Sequence, residues 1–164
     1  MSVVVCRITK KGYEIAADSI AVRGWTQSKG DTKKFSKLFE VNGLVIGGVG
    51  LIQEISLLRL FATTHKPASA TDSALLEFLS EFSGWKNKKT DDSDIDNAYI
   101  VGFEEKAFYI NGWLVEEIVK YEAIGAGEDY ALAAMYLGNS AKKAVRVAIE
   151  LSVFCEGPIQ VINK

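Results

Sequence analysis

Met1-Ser2-Val3-Val4-Val5-Cys6-Arg7-Ile8-Thr9-Lys10-Lys11-Gly12-Tyr13-Glu14-Ile15-Ala16-Ala17-Asp18 reads as a β-hairpin, and this reading decides the fold. Val3 to Ile8 is nearly continuous β-branched and apolar sequence, which suits a strand buried on both faces. Thr9-Lys10-Lys11-Gly12 is a turn, with glycine for the tight φ, and Tyr13 to Ala17 returns as a second strand. Strands of equal length joined by a short turn set their far ends side by side. Asp18 is therefore expected beside Ser2.

Working outward, Lys34 lies sixteen residues beyond Asp18, the same interval that separates Asp18 from Ser2. Ser2 stands directly behind Met1, so removal of Met1 would give it a free α-amine beside its own hydroxyl. An α-amine titrates near pH ~8, and it can act as the base where other hydrolases need a histidine. Asp18 and Lys34 are a charge pair suited to tuning that amine. Each residue also has an ordinary explanation, a common second residue and two strand-end charges, so the weight lies on the three together. The single histidine, His65, follows a helical pattern, which disfavours His-dependent triads and multi-histidine metal sites. Cys6 lies inside an apolar β-run and Cys155 at the end of a helix-like run; both are expected as buried free thiols, with no metal centre or disulfide framework.

The bulk properties narrow the function classes. A chain of 164 residues, 48% hydrophobic and 24% charged, is expected to form one globular domain over 1–164 with a sizeable core. Its 19 basic and 21 acidic side chains are scattered, leaving no basic stripe for nucleic acid and no patch for a membrane surface. Apolar runs fall short of a membrane span and no signal-peptide pattern opens the chain, so a cytoplasmic location is expected. Nothing in the sequence calls for a cofactor.

Further along, Arg23 to Thr32 reads as a loop or edge structure and Lys33 to Glu40 as a third strand. Leu44 to Gly50 is a buried strand entering a glycine-rich turn. That turn lacks the Lys-Ser/Thr ending of a phosphate-binding loop, so nucleotide binding is not expected. Leu51, Ile52, Ile55, Leu58 and Phe61 form a helical stripe. A second helix is expected from Thr71, its N-cap, to Phe82. Lys86 to Asn97 reads as a solvated loop. Its Asp92, Asp94 and Asp96 do not make a calcium loop, because Asn97 stands where glycine is needed and Phe103 where glutamate is needed. Ala98–Phe103, Ala107–Ile110 and Trp113–Glu117 read as an antiparallel set, with Asn111-Gly112 at a turn. An apolar piece from Tyr121 to Gly127 follows, then helices over Glu128–Leu137 and Ser140–Phe154, and a last strand over Pro158–Ile162. Trp25, Trp85 and Trp113 are expected to serve packing or subunit contacts. Two helix pairs with two sheets predict an α+β fold of four layers, αββα.

Several motifs in this order resemble the proteasome β-subunit-like family of N-terminal nucleophile hydrolases, above all the peptidase ring of the bacterial two-component ATP-dependent protease. They are Gly12-Tyr13-Glu14-Ile15-Ala16-Ala17-Asp18, Gly30-Asp31-Thr32-Lys33-Lys34 with Leu38, Gly47-Gly48-Val49-Gly50 leading into a helix, and Ala123-Ile124-Gly125-Ala126-Gly127-Glu128-Asp129-Tyr130-Ala131. The resemblance spans essentially the whole chain. It implies Ser2 as nucleophile in place of the family's threonine. Lys34 would be the cation that lowers the pKa of amine and hydroxyl, with Asp18 as its partner. Gly48 would be the backbone oxyanion donor, with Gly47 as the fallback. It further implies a peptide or unfolded-protein substrate, a homo-oligomeric ring and an ATP-dependent unfoldase as partner. The chain departs from the family pattern in two places: Ala126 stands where the family has a serine, and Ser152 to Gly157 contains no aspartate. These departures favour the alternative of a catalytically silent structural subunit. A small-molecule amidohydrolase with the same N-terminal chemistry is a third reading.

Overall fold

The computed structural model describes residues 1–28 and 36–164. Strands β1 (Val4–Thr9) and β2 (Gly12–Ala17) form the hairpin read from the sequence, in antiparallel register from Thr9 opposite Gly12 to Val4 opposite Ala17. β10 (Tyr121–Ile124) pairs with the other edge of β1, and β11 (Gln160–Asn163) with the other edge of β2. The result is a four-stranded antiparallel sheet in the order β10-β1-β2-β11.

The second sheet has five strands, β5 (Leu38–Val41), β6 (Leu44–Val49), β7 (Ala98–Phe103), β8 (Lys106–Asn111) and β9 (Leu114–Glu117), in sequence order and antiparallel throughout. Helices α1 (Ile52–Ala62) and α2 (Asp72–Thr90) cover it, while α3 (Glu128–Tyr136) and α4 (Ala141–Leu151) cover the first sheet. This is the expected four-layer αββα arrangement.

Alternation along the strands builds the layers. Val3 and Val5 face α3 and α4, and Val4 and Cys6 face the second sheet, which is why the segment is apolar without a break. Ile46 likewise packs towards α1 and α2 while its neighbour Val45 points between the sheets. Glycines permit the close approach of layers: a Cβ on Gly47 would lie 2.5 Å from Val4 Cγ1 in the other sheet, and one on Gly48 would lie 3.0 Å from Ile55 Cγ1 of α1.

Within the stretch expected as loop or edge structure, β3 (Ala21–Arg23) and β4 (Thr26–Ser28) form a two-stranded ribbon with Gly24 at positive φ in its turn, and residues 29–32 lie outside the described residues. The structure corrects two local expectations. The strand expected from Lys33 to Glu40 begins only at Leu38, and residues 33–35 lie outside the described residues. The segment read as a solvated loop from Lys86 is helical to Thr90, so α2 is much longer than its apolar stripe. Its last turns survive because Lys86, only 2% exposed, reaches the buried Glu54. A charged sequence cannot announce such a partner. Thr71 caps α2, accepting from the Ala74 N–H at 3.3 Å. Trp85 packs on the α1–α2 core, whereas Trp25 and Trp113 are exposed. Cys6 and Cys155 are buried free thiols. Among the described residues no helix is long and apolar enough to cross a membrane.

Candidate active site

Ser2 sits just before β1, 3% exposed, with φ of 147°. Its carbonyl accepts from the Gly127 N–H at 3.2 Å, and its hydroxyl donates to the Met1 carbonyl. The Gly125-Ala126-Gly127 turn fits closely here, since a Cβ on Gly125 would lie 2.5 Å from the Ser2 carbonyl oxygen. Ala126, where the resembling family has a serine, is exposed.

Asp18 follows β2 and is fully buried, at the place the hairpin argument assigned to it. Its carboxylate ties four parts of the chain together. Oδ1 accepts from the Val3 N–H at 3.0 Å and from Lys37 Nζ at 2.8 Å. Oδ2 accepts from the Ile20 N–H at 3.3 Å and the Glu156 N–H at 3.2 Å. Three backbone donors and a cation are what a buried carboxylate needs to stay charged.

Among the described residues the cation is Lys37. Lys34, the lysine expected to pair with Asp18, lies outside the described residues. Lys37 stands immediately before Leu38, the first residue of β5, and that strand end carries it inside. It is 6% exposed, and burial pulls its pKa below the usual lysine value while the Asp18 charge and hydrogen bond push the other way. Sequence reasoning missed it because Lys33, Lys34 and Lys37 crowd one stretch. The available signal was that Lys37 alone abuts an apolar strand.

Ser2 and Lys37 both line a cleft of about 370 Å³. Two further segments line it, Ile20–Val22 leading into β3 and Gly48–Ile52 running from β6 into α1. Gly48 is thus at the site as expected, but its N–H donates to the Lys37 carbonyl at 3.1 Å. Antiparallel amides alternate in direction, so the Gly47 amide, in register with Ile100, is directed at β7. The sequence could place these glycines at a turn, but not say which neighbouring carbonyl would take their N–H groups.

Cys155 also belongs to the surroundings of the site. A Cβ on Gly127 would lie 2.6 Å from its sulfur, and its pKa is raised by burial first and by the Asp18 charge second. A thiol held protonated is a packing group here, not a competing nucleophile. The arrangement therefore offers one hydroxyl at a cleft, a buried lysine–aspartate pair behind it, and a glycine-rich strand end alongside.

No family model matches the sequence and no curated protein matches it. Solved structures do match in shape. Thiobacillus denitrificans BPH in complex with epoxomicin superposes with a TM-score of 0.87 at 19% identity, over 98% of this chain and 96% of that one. Anbu (ancestral β-subunit) from Yersinia bercovieri gives 0.71 at 18% identity, over 98% of this chain and 80% of that one. Eukaryotic HslV from Trypanosoma brucei gives 0.69 at 22% identity, over 98% and 97%. Together with the layer order and the Ser2–Asp18 hairpin, these likenesses make the fold of this chain the proteasome-type αββα sandwich seen in HslV, Anbu and BPH.

Proposed function

We propose that this chain is a proteasome-type peptidase whose nucleophile is Ser2, exposed as the first residue by removal of Met1. The observation that carries the reading is the placement of Ser2 and Lys37 on one cleft, with Asp18 buried behind and ion-paired to Lys37 at 2.8 Å. Ser2 Oγ attacks the scissile carbonyl carbon and gives its proton to the α-amine. The amine then passes that proton to the leaving peptide nitrogen as the C–N bond breaks, leaving an acyl ester on Ser2. Water, deprotonated by the same amine, hydrolyses the ester. Lys37, in the role first expected of Lys34, lowers the pKa of amine and hydroxyl through its charge. Asp18 holds Lys37 and the Val3 amide next to the nucleophile. Gly48 donates to the oxyanion with an N–H shared with the Lys37 carbonyl, a three-centre bond of a common kind.

The test is intact-mass spectrometry after exposure to a hydroxyl-reactive peptide electrophile. One adduct on Ser2 of Met1-free protein is expected, and Ser2→Ala is expected to abolish both the adduct and peptide hydrolysis. Lys37→Ala should remove activity and Lys34→Ala should keep most of it; the reverse result would return the role to Lys34. We propose assembly into a homo-oligomeric ring, optionally served by an ATP-dependent unfoldase. A monomer at micromolar concentration in sedimentation velocity would refute the ring.

A catalytically silent structural subunit is the second reading. It is favoured by the burial of Ser2 and by the engagement of the Gly48 N–H. Retained Met1 with no adduct would establish it.

A further inference from the structure

Gly50 and Leu51, between β6 and α1, line the cleft, and Leu51 is the N-cap of α1 without a side-chain cap of its own. One distant side chain takes both main-chain polar groups of Leu51. Asn97 Oδ1 accepts from the Leu51 N–H at 2.6 Å, and Asn97 Nδ2 donates to the Leu51 carbonyl at 2.9 Å. Gly50 has φ of 121°, and a Cβ there would lie 2.1 Å from Asn97 Oδ1. The carboxamide thus fills space that only a glycine leaves.

Asn97 is itself held rigidly, at 1% exposure. Its N–H donates to Glu54 Oε1 at 3.1 Å, and its Nδ2 donates to the Tyr99 hydroxyl at 3.2 Å. That hydroxyl donates in turn to Glu54 Oε1 at 2.8 Å. Glu54 Oε2 accepts from the Asp96 N–H at 3.2 Å and from Lys86 Nζ at 3.3 Å, and Lys86 also bonds Asp92 Oδ2 at 2.9 Å and the Asp94 carbonyl. Glu54, Lys86, Asn97 and Tyr99 do not line the Ser2 cleft. The network reaches the cleft through Gly50 and Leu51.

We infer that Asn97 is a positioning residue, a clamp that fixes the Gly50–Leu51 turn and thereby sets the shape of the cleft that receives the substrate backbone. The effect on turnover rests on the peptidase reading, but the clamp itself does not. A loosened turn weakens substrate binding while leaving Ser2, Asp18 and Lys37 in place. It is expected to raise KM rather than lower kcat.

The test compares full-length wild type and Asn97→Ala by peptide hydrolysis, normalised to sites titrated with the covalent electrophile, and by amide hydrogen exchange. KM is expected to rise about fivefold or more with kcat within about twofold, and the Leu51 amide to exchange at least about tenfold faster. A merely structural role would lower the titratable fraction and leave KM unchanged, and that result overturns the proposal. Asn97→Ser, too short to hold both main-chain groups of Leu51, is expected to give the same signature, so it serves if Asn97→Ala does not fold. Should wild type show no Ser2-dependent turnover, the peptidase reading fails. The clamp then stands or falls on Leu51 exchange, faster in Asn97→Ala supporting it and unchanged refuting it.

Discussion

Replacing Lys37 by methionine removes the cation from a pair in which Asp18 is fully buried and Lys37 is 6% exposed. Removing one partner of a buried ion pair costs about 3–5 kcal/mol, because the other charge is left uncompensated. Two features place this case at the low end. Asp18 keeps three backbone donors, from Val3, Ile20 and Glu156. Lys37 itself is held against its desolvation, as its lowered pKa shows, so its loss also relieves a burial cost. About 3 kcal/mol is therefore expected, which for a chain of this size is about 6–12 °C in Tm. The main-chain bond from the Gly48 N–H to the Lys37 carbonyl is untouched by the change, so the side-chain interaction is what the measurement reads. The assay is urea and thermal unfolding of wild type, Lys37→Met, Asp18→Asn and the double variant. Since Asp18→Asn removes the charge that Lys37→Met strands, the double variant should be more stable than the sum of the singles by about 2 kcal/mol or more. Additivity within about 0.5 kcal/mol, or a Lys37→Met cost below about 1 kcal/mol, would refute the reasoning.

Two further outcomes follow from the same geometry. Lys37 has a folded-state pKa below its ordinary 10.5, so between the two values the unfolded chain binds more protons and stability rises with pH. The stability of wild type relative to Lys37→Met should be flat below that window and climb as pH approaches 10.5. A difference that falls there would reverse the sign assigned to burial. Glu54→Ala should destabilise by about 3 kcal/mol, because it leaves the Tyr99 hydroxyl and the Asn97 amide without their acceptor and takes one of two carboxylate partners from buried Lys86, which keeps Asp92. Urea unfolding showing less than about 1 kcal/mol would mean that water replaces the carboxylate.

The sequence by itself determined the layers. The unbroken apolar run from Val3, the short turn ending at Gly12 and the stripe from Ile52 to Phe61 act over a few residues. Local sterics and burial fix their outcome without knowledge of the rest of the chain. The same local logic brought Asp18 to Ser2, because hairpin register follows from strand length. Tertiary structure alone decided that Lys37 meets Asp18, where α2 stops, and what occupies the Gly48 and Leu51 amides. Each of these is a pairing of polar groups far apart in sequence: Lys37 with Asp18, Lys86 with Glu54, Asn97 with Leu51. A buried polar group must find a partner, but its own type and neighbours do not say which one. Only the path of the chain brings the two together, as it does Lys37 and Asp18.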